Sequence, residues 1–174
     1  MNKLFVAALK EETVGLNYFH HTGVGKVNAT YNLTKLIQEH KPSEVINYGT
    51  AGAIKKGLSG IVEVTKFYQR DMDVRGLLDL KLGETPFDDL NEIINFNEGY
   101  SCGSGDSFVN KQIEMDLDLV DMEAYALAKV CKLEVIKFRC FKYISDNADD
   151  SASIDWLENC KKGAKLFHAK INDF

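Results

Sequence analysis

Proline is scarce in this 174-residue chain. Only Pro42 and Pro86 interrupt it, so long regular elements can run undisturbed. No apolar run approaches the roughly 20 residues of a membrane span; Leu4–Leu9 stops at Lys10-Glu11-Glu12. A signal peptide needs a longer apolar core and a small-residue cleavage site. The opening residues therefore read as a buried first strand and the expected location is the cytoplasm, which makes the triplets Asn28-Ala29-Thr30 and Asn32-Leu33-Thr34 accidental rather than glycosylated. Cys102, Cys131, Cys140 and Cys160 form no C-x-x-C pair and lack a nearby histidine, so reduced, buried thiols are expected and no metal. Positive charge is not in excess: 21 Lys and Arg against 26 Asp and Glu give −5, which leaves no footprint for nucleic acid. Repeats, linkers and low-complexity tracts are missing too.

What remains is ordinary globular composition, 45% hydrophobic and 27% charged, enough for one domain over 1–174 with its own core. Strands are expected at Lys3–Leu9, Glu44–Gly49, Ile61–Tyr68, Glu98–Cys102, Leu117–Val120 and Val135–Ile144. Helices are expected at Val27–His40, with Val27, Tyr31, Leu33, Leu36 and Ile37 on its apolar side, at Glu123–Leu133, and from about Ser153 to Lys170. Asp71–Asn97, with Gly83, Pro86 and several acids, reads as loops with some helix. The alternation predicts an α/β fold: a mostly parallel mixed central sheet flanked by helices on both faces.

Two acidic segments stand out, Val120-Asp121-Met122-Glu123-Ala124 and Ser145-Asp146-Asn147-Ala148-Asp149. Each lies where a strand ends, and ligands of open α/β sheets bind outside the carboxyl ends of strands. Glu11 and Glu12 follow the first strand in the same way. Singly, each acid reads as a helix cap or a turn residue. Together they bring carboxylates to one sheet edge, where one can grip a diol and another can hand a proton to a leaving group. Tyr48-Gly49-Thr50-Ala51-Gly52-Ala53 and Gly103-Ser104-Gly105-Asp106-Ser107-Phe108 read as small-residue turns, the latter ending in an aromatic able to stack on a base. Gly23-Val24-Gly25-Lys26-Val27-Asn28 lacks the third glycine of a dinucleotide fingerprint, and no cofactor is expected.

Taken in order, Ala8–Glu12, Gly23–Ala29, Asn47–Gly52, Gly103–Phe108, Val120–Ala124 and Ser145–Asp149 resemble the purine nucleoside phosphorylase/nucleosidase superfamily. The branch of 5′-methylthioadenosine/S-adenosylhomocysteine nucleosidases and futalosine hydrolases is the most similar. The resemblance implies a small-molecule nucleoside as partner and hydrolysis of its N-ribosidic bond to a free base and a ribose derivative. Asp146 then protonates the departing purine, and Glu12 activates the attacking water. Glu123 grips the ribose hydroxyls with Met122 packed on the sugar, and Asp121 belongs to the same binding segment. Phe108 stacks on the base, the Val109 backbone reads its edge, and Trp156 lies over the purine. Thr50, with Ala51 and Gly52 beside it, and Lys142 help to hold the water, while Ser145 and Asp149 tune or orient Asp146. The resemblance also implies a homodimer.

The chemistry explains these residue types. A purine anion leaves slowly, so the base must be neutralised as an oxocarbenium-like sugar develops. Superfamily phosphorylases hold phosphate with arginines where this chain has Lys10-Glu11-Glu12 and Asn47-Tyr48, and a carboxylate at Glu12 opposes phosphate. Hydrolysis is preferred; phosphorolysis and a non-catalytic nucleoside-binding member are the alternatives. Thr13–Thr22 is shorter than the family's corresponding segment, and the 70–74 and 83–87 stretches depart from it. Arg70 reads more readily as a surface or interface ion pair than as the reader of an acidic 5′ group.

Overall fold

The structure, a computed structural model, describes residues 2–96, 98–110, 113–148 and 156–171, the side chains of Trp156 and Leu157 excepted. Within them the order is β1 (Lys3–Ala7), a one-turn 3₁₀ helix (Lys10–Thr13), β2 (Phe19–His21), α1 (Lys26–His40), β3 (Glu44–Ala53) and β4 (Ile61–Gln69). Then come β5 (Glu92–Ile94), β6 (Tyr100–Ser104), β7 (Leu119–Asp121), α2 (Ala124–Leu133), β8 (Lys137–Asp146) and α3 (Trp156–Ile171).

β3 is the pivot of the sheet. It runs parallel to β1 on one side and to β8 on the other, and its last residues, Gly52 and Ala53, pair antiparallel with β7. β7 is parallel to β6, β6 is parallel to β4, and β4 is antiparallel to β8, so β3, β7, β6, β4 and β8 close a ring. β2 extends the sheet beyond β1 as an edge strand, and β5 hangs from β4. This register sets Asp146 opposite Gly52 and Asp121 opposite Ser104.

Alternation along the strands explains the two layers around the sheet. Leu4, Val6 and Val45 pack with Ala29, Leu33 and Ile37 of α1 and with Leu127 of α2. Their neighbours Ala7, Ile46 and Tyr48 face the other way, toward Ala164 and Phe167 of α3, and Tyr48 stacks on Phe167. Gly163 lets α3 come this close: a Cβ there would lie 2.5 Å from the Tyr48 hydroxyl. The expected mixed α/β sheet with helices on both faces is what the structure contains.

Several local expectations need correction. Val27 and Tyr31 are 79% and 63% exposed, because α1 buries the i, i+4, i+8 row Ala29, Leu33 and Ile37 instead. β3 continues through Tyr48–Ala53, which is strand rather than turn. Among the described residues of 71–97 there is no helix, only β5. β2 was not expected at all. The 153–155 start of the last helix lies outside the described residues.

Candidate active site

β1 ends at Ala7, and the chain coils through Lys10–Thr13, which carries Glu12 back over the sheet edge. Glu12 is buried at 4% exposure. One carboxylate oxygen accepts the Thr50 N–H and the Thr50 hydroxyl, both at 2.8 Å, and the other accepts the Leu9 N–H at 3.1 Å. Gly49 makes room for this arrangement: a Cβ there would lie 3.3 Å from the Glu12 carboxylate and 3.2 Å from Lys142 Nζ. The small residues of β3 thus accommodate charged side chains reaching across from neighbouring elements.

Asp121 closes β7 and leads into α2. Its carboxylate is taken up inside the protein by Lys142 Nζ at 2.8 Å, the Ser104 hydroxyl at 2.5 Å and the Ala124 N–H at 2.9 Å. Burial raises the Asp121 carboxyl, but Lys142 together with the hydrogen bonds from Ser104 and Ala124 outweighs it and keeps the group below the usual aspartate range. For Lys142 burial opposes the charge, yet Asp121 beside it holds the ammonium well above the usual lysine range. Glu123 precedes α2 and accepts the Gly25 N–H at 2.8 Å. Burial first, then the adjacent Asp121, push its carboxyl up to about 7.

Asp146 ends β8. Its Oδ1 accepts the Ala148 N–H at 2.8 Å, and its Oδ2 lies 2.6 Å from the Ser145 hydroxyl. Ala148 adopts φ 50°, a left-handed conformation that favours glycine, to turn that N–H back onto the carboxylate. Gly52 is needed opposite, since a Cβ there would stand 2.9 Å from Asp146 Oδ1.

These groups meet in one cavity of about 340 Å³, a size suited to a small ligand. Glu12, Thr50, Ala51, Gly52, Phe108, Val109, Asp121, Met122, Glu123, Ser145 and Asp146 all line it. Lys142, expected beside the water, is not among the lining residues: it is buried and committed to Asp121. The Trp156 side chain and Asp149 lie outside the described residues. Ala8, Leu9, Val24, Arg70, Ser107 and Val120 also line the cavity. Arg70 is not in the expected ion pair with any described residue. It donates to the Ser107 hydroxyl at 3.3 Å and to the carbonyls of Gly105 and Ser107.

The start of α1 borders the cavity through Val24. Gly23 and Gly25, at φ 81° and 89°, form the tight turn there. Helix N-termini attract anions, but this one is already served: Gly25 N–H by Glu123 and Lys26 N–H by Asp106 at 2.8 Å. Lys26 Nζ completes a clasp with Asp71 at 2.6 Å and Asp106 at 3.2 Å. Among the described residues no His, Cys, Asp and Glu group is arranged to hold a metal ion, and no helix is long and apolar enough to cross a membrane.

Glu123 gives a stability test. A carboxyl raised from 4.5 to about 7 favours the folded state while protonated, and that contribution is lost as pH rises through 7. Glu123→Gln, which cannot ionise, is therefore expected to exceed the native chain in stability by roughly 3 kcal/mol at pH 8. The gap should close toward pH 4.5. Urea unfolding at pH 5 and pH 8 reads it; equal stability at pH 8 would refute the strained carboxylate.

The fold matches solved structures of nucleoside-cleaving proteins. Against the native futalosine hydrolase of Helicobacter pylori strain 26695 the TM-score is 0.86 at 20% identity, covering 99% of this chain and 98% of that one. Against a mutant H. pylori nucleosidase with 5′-methylthioadenosine in its active site it is 0.83 at 19% identity, covering 99% of each chain. The fold is shared with these two structures over nearly the whole chain. No family model matches the chain. Curated relatives do: it is 34% identical, over 86% of its length, to the 5′-methylthioadenosine/S-adenosylhomocysteine nucleosidase of Haemophilus influenzae strain PittEE, covering 76% of that protein. The nucleosidase of Exiguobacterium sp. is 30% identical over 79% of this chain, which covers 70% of it. The chain belongs to the 5′-methylthioadenosine/S-adenosylhomocysteine nucleosidase family.

Proposed function

We propose that this protein is a purine nucleosidase that hydrolyses the N-ribosidic bond of an adenosine-type nucleoside such as 5′-methylthioadenosine or S-adenosylhomocysteine. The observation that carries the reading is the gathering of Glu12, Glu123 and Asp146, from three distant parts of the chain, around one cavity. Phe108, 58% exposed on the cavity wall, offers a ring face to the base. Glu123 grips the ribose diol, with Met122 against the sugar. The C1′–N9 bond breaks toward an oxocarbenium-like sugar. Asp146 gives a proton to the base, so that it leaves neutral. Water adds to C1′ as Glu12 takes its proton.

The hydrogen bonds support this division of labour. Ser145 has one hydroxyl proton and two acceptors near it, the Ala51 carbonyl at 3.4 Å and Asp146 at 2.6 Å. Ser145 and the Ala148 N–H thus hold the Asp146 carboxyl at the cavity edge, where it can pass a proton to the base. Glu12 receives three donated bonds, which fix its carboxylate where it can take a proton from water. Hydrolysis is favoured over phosphorolysis because carboxylates already occupy the anion-attracting start of α1 and a further carboxylate, Glu12, stands beside Thr50. The reading extends to one nucleosidase domain over 1–174, in the cytoplasm as the opening residues suggest, acting as the homodimer that the family resemblance implies.

The test is release of free base from 5′-methylthioadenosine and S-adenosylhomocysteine, followed by chromatography with and without phosphate. Equal rates in both buffers and a ribose product free of phosphate are expected. Turnover that requires phosphate, with a sugar phosphate as product, would make it a phosphorylase. Tight nucleoside binding without base release would make it a binding protein.

A further inference from the structure

His21 stands outside the cavity lining, yet it reaches the turn that carries Glu12. It ends β2, the short edge strand that returns the chain beside β1, in register with Ala7. The pairing continues past it, with Thr22 N–H bonded to the Ala7 carbonyl at 2.9 Å and Gly23 N–H to the Ala8 carbonyl at 3.0 Å. From this anchored position the ring places Nε2 2.8 Å from the hydroxyl of Thr13, the buried residue next to Glu12. The Thr13 hydroxyl also lies 3.4 Å from the Lys10 carbonyl, which can only accept. The bond forms in either tautomer: Nε2–H donates to Thr13 Oγ1 while the threonine proton turns to Lys10, or the threonine hydroxyl donates to a bare Nε2. Burial, followed by the nearby Lys10, lowers the His21 pKa, in keeping with a neutral ring.

The bond closes a frame around the base of the reaction. Glu12 points one oxygen back to the Leu9 N–H of its own turn and the other to Thr50 on β3. α3 packs on one side of that turn, and β2 reaches it through His21. We propose that His21 is a positioning residue for Glu12, fixing the Lys10–Thr13 turn so that the carboxylate meets the attacking water at the right distance. The inference rests on the nucleosidase reading above. The short Thr13–Thr22 segment thereby has a use beyond connecting two elements: it folds a side chain back onto the turn from which it departs.

Because Glu123, Phe108 and Asp146 come from other segments, the effect falls on turnover rather than on binding. His21→Ala is expected to lower kcat about tenfold, as displacements well under 1 Å do at a reacting centre, with KM held within about twofold. His21→Gln, whose amide can donate or accept in place of Nε2, should recover kcat to within about threefold of the native value. Thr13→Val should reproduce the His21→Ala loss, and the double variant should be no worse than either single one. Circular dichroism checks folding, and Thr13→Val carries the test alone if His21→Ala does not fold. A native kcat in His21→Ala, a loss seen only in KM, or failure of glutamine to rescue would overturn the inference while leaving the nucleosidase reading intact. Absence of base release from the native protein would sink that reading and this inference with it.

Discussion

Asp146→Asn is expected to leave the fold unchanged and to slow base release about 10²- to 10⁴-fold. The fold should survive because asparagine satisfies the same partners. Its carbonyl can accept the Ala148 N–H in place of Oδ1, and its amide can donate to Ser145 Oγ, freeing the serine proton for the Ala51 carbonyl. Position and size are kept; only the transferable proton is lost. The remaining rate reflects what Glu12 and Glu123 still do. Stacking on Phe108 and the diol grip of Glu123 do not involve that proton, so KM should move much less than kcat. Turnover within about tenfold of the native protein, with melting unchanged, would remove Asp146 from the role of acid.

The sequence made strands with apolar faces legible because alternation is a local signal. β1, β4 and β8 lie close to their expected places. β2 was hidden because Phe19-His20-His21 has no pattern of its own and becomes a strand only by pairing with β1. Glycines in Tyr48–Ala53 read as a turn, yet they are there for close approach: Gly49 and Gly52 give room to Glu12, Lys142 and Asp146. The face of α1 was legible in part: Leu33, Leu36 and Ile37 pack inward as expected, but Val27 and Tyr31 lie on an adjacent row, and only packing against α2 and the sheet selects Ala29 over them. In the cavity the carboxylates were legible because acids at strand ends converge on one edge. The partner of Lys142 was not, since nothing local links β8 to the end of β7. The one available hint was a lysine amid Cys140, Phe141, Tyr143 and Ile144, a place where a charge calls for a counter-charge. For Arg70 the sequence offered both a pocket role and an ion pair, and the ion pair was the wrong preference, because which way an arginine at a strand exit turns depends on the loop it meets, here Gly105–Ser107.

That buried ion pair predicts the largest loss of stability. Lys142→Met keeps the length and much of the volume of the side chain but leaves Asp121, whose side chain is 1% exposed, without its counter-charge. Breaking one half of a buried pair costs about 3–5 kcal/mol, a large share of the roughly 5–15 kcal/mol that holds a domain together. The pH dependence identifies the cause. In the native protein the depressed Asp121 contributes stability above the ordinary aspartate range, and that contribution fades as pH falls through its folded value. In Lys142→Met the uncompensated carboxylate is destabilising instead, so the gap between the two proteins should be widest at pH 7–8 and shrink in acid as Asp121 is protonated. Adding Asp121→Asn to Lys142→Met should restore much of the loss, since a neutral amide can still pair with Ser104 and Ala124. Urea unfolding across pH measures all three proteins. A penalty that stays constant with pH, or a double variant no more stable than Lys142→Met, would assign the loss to packing rather than to charge.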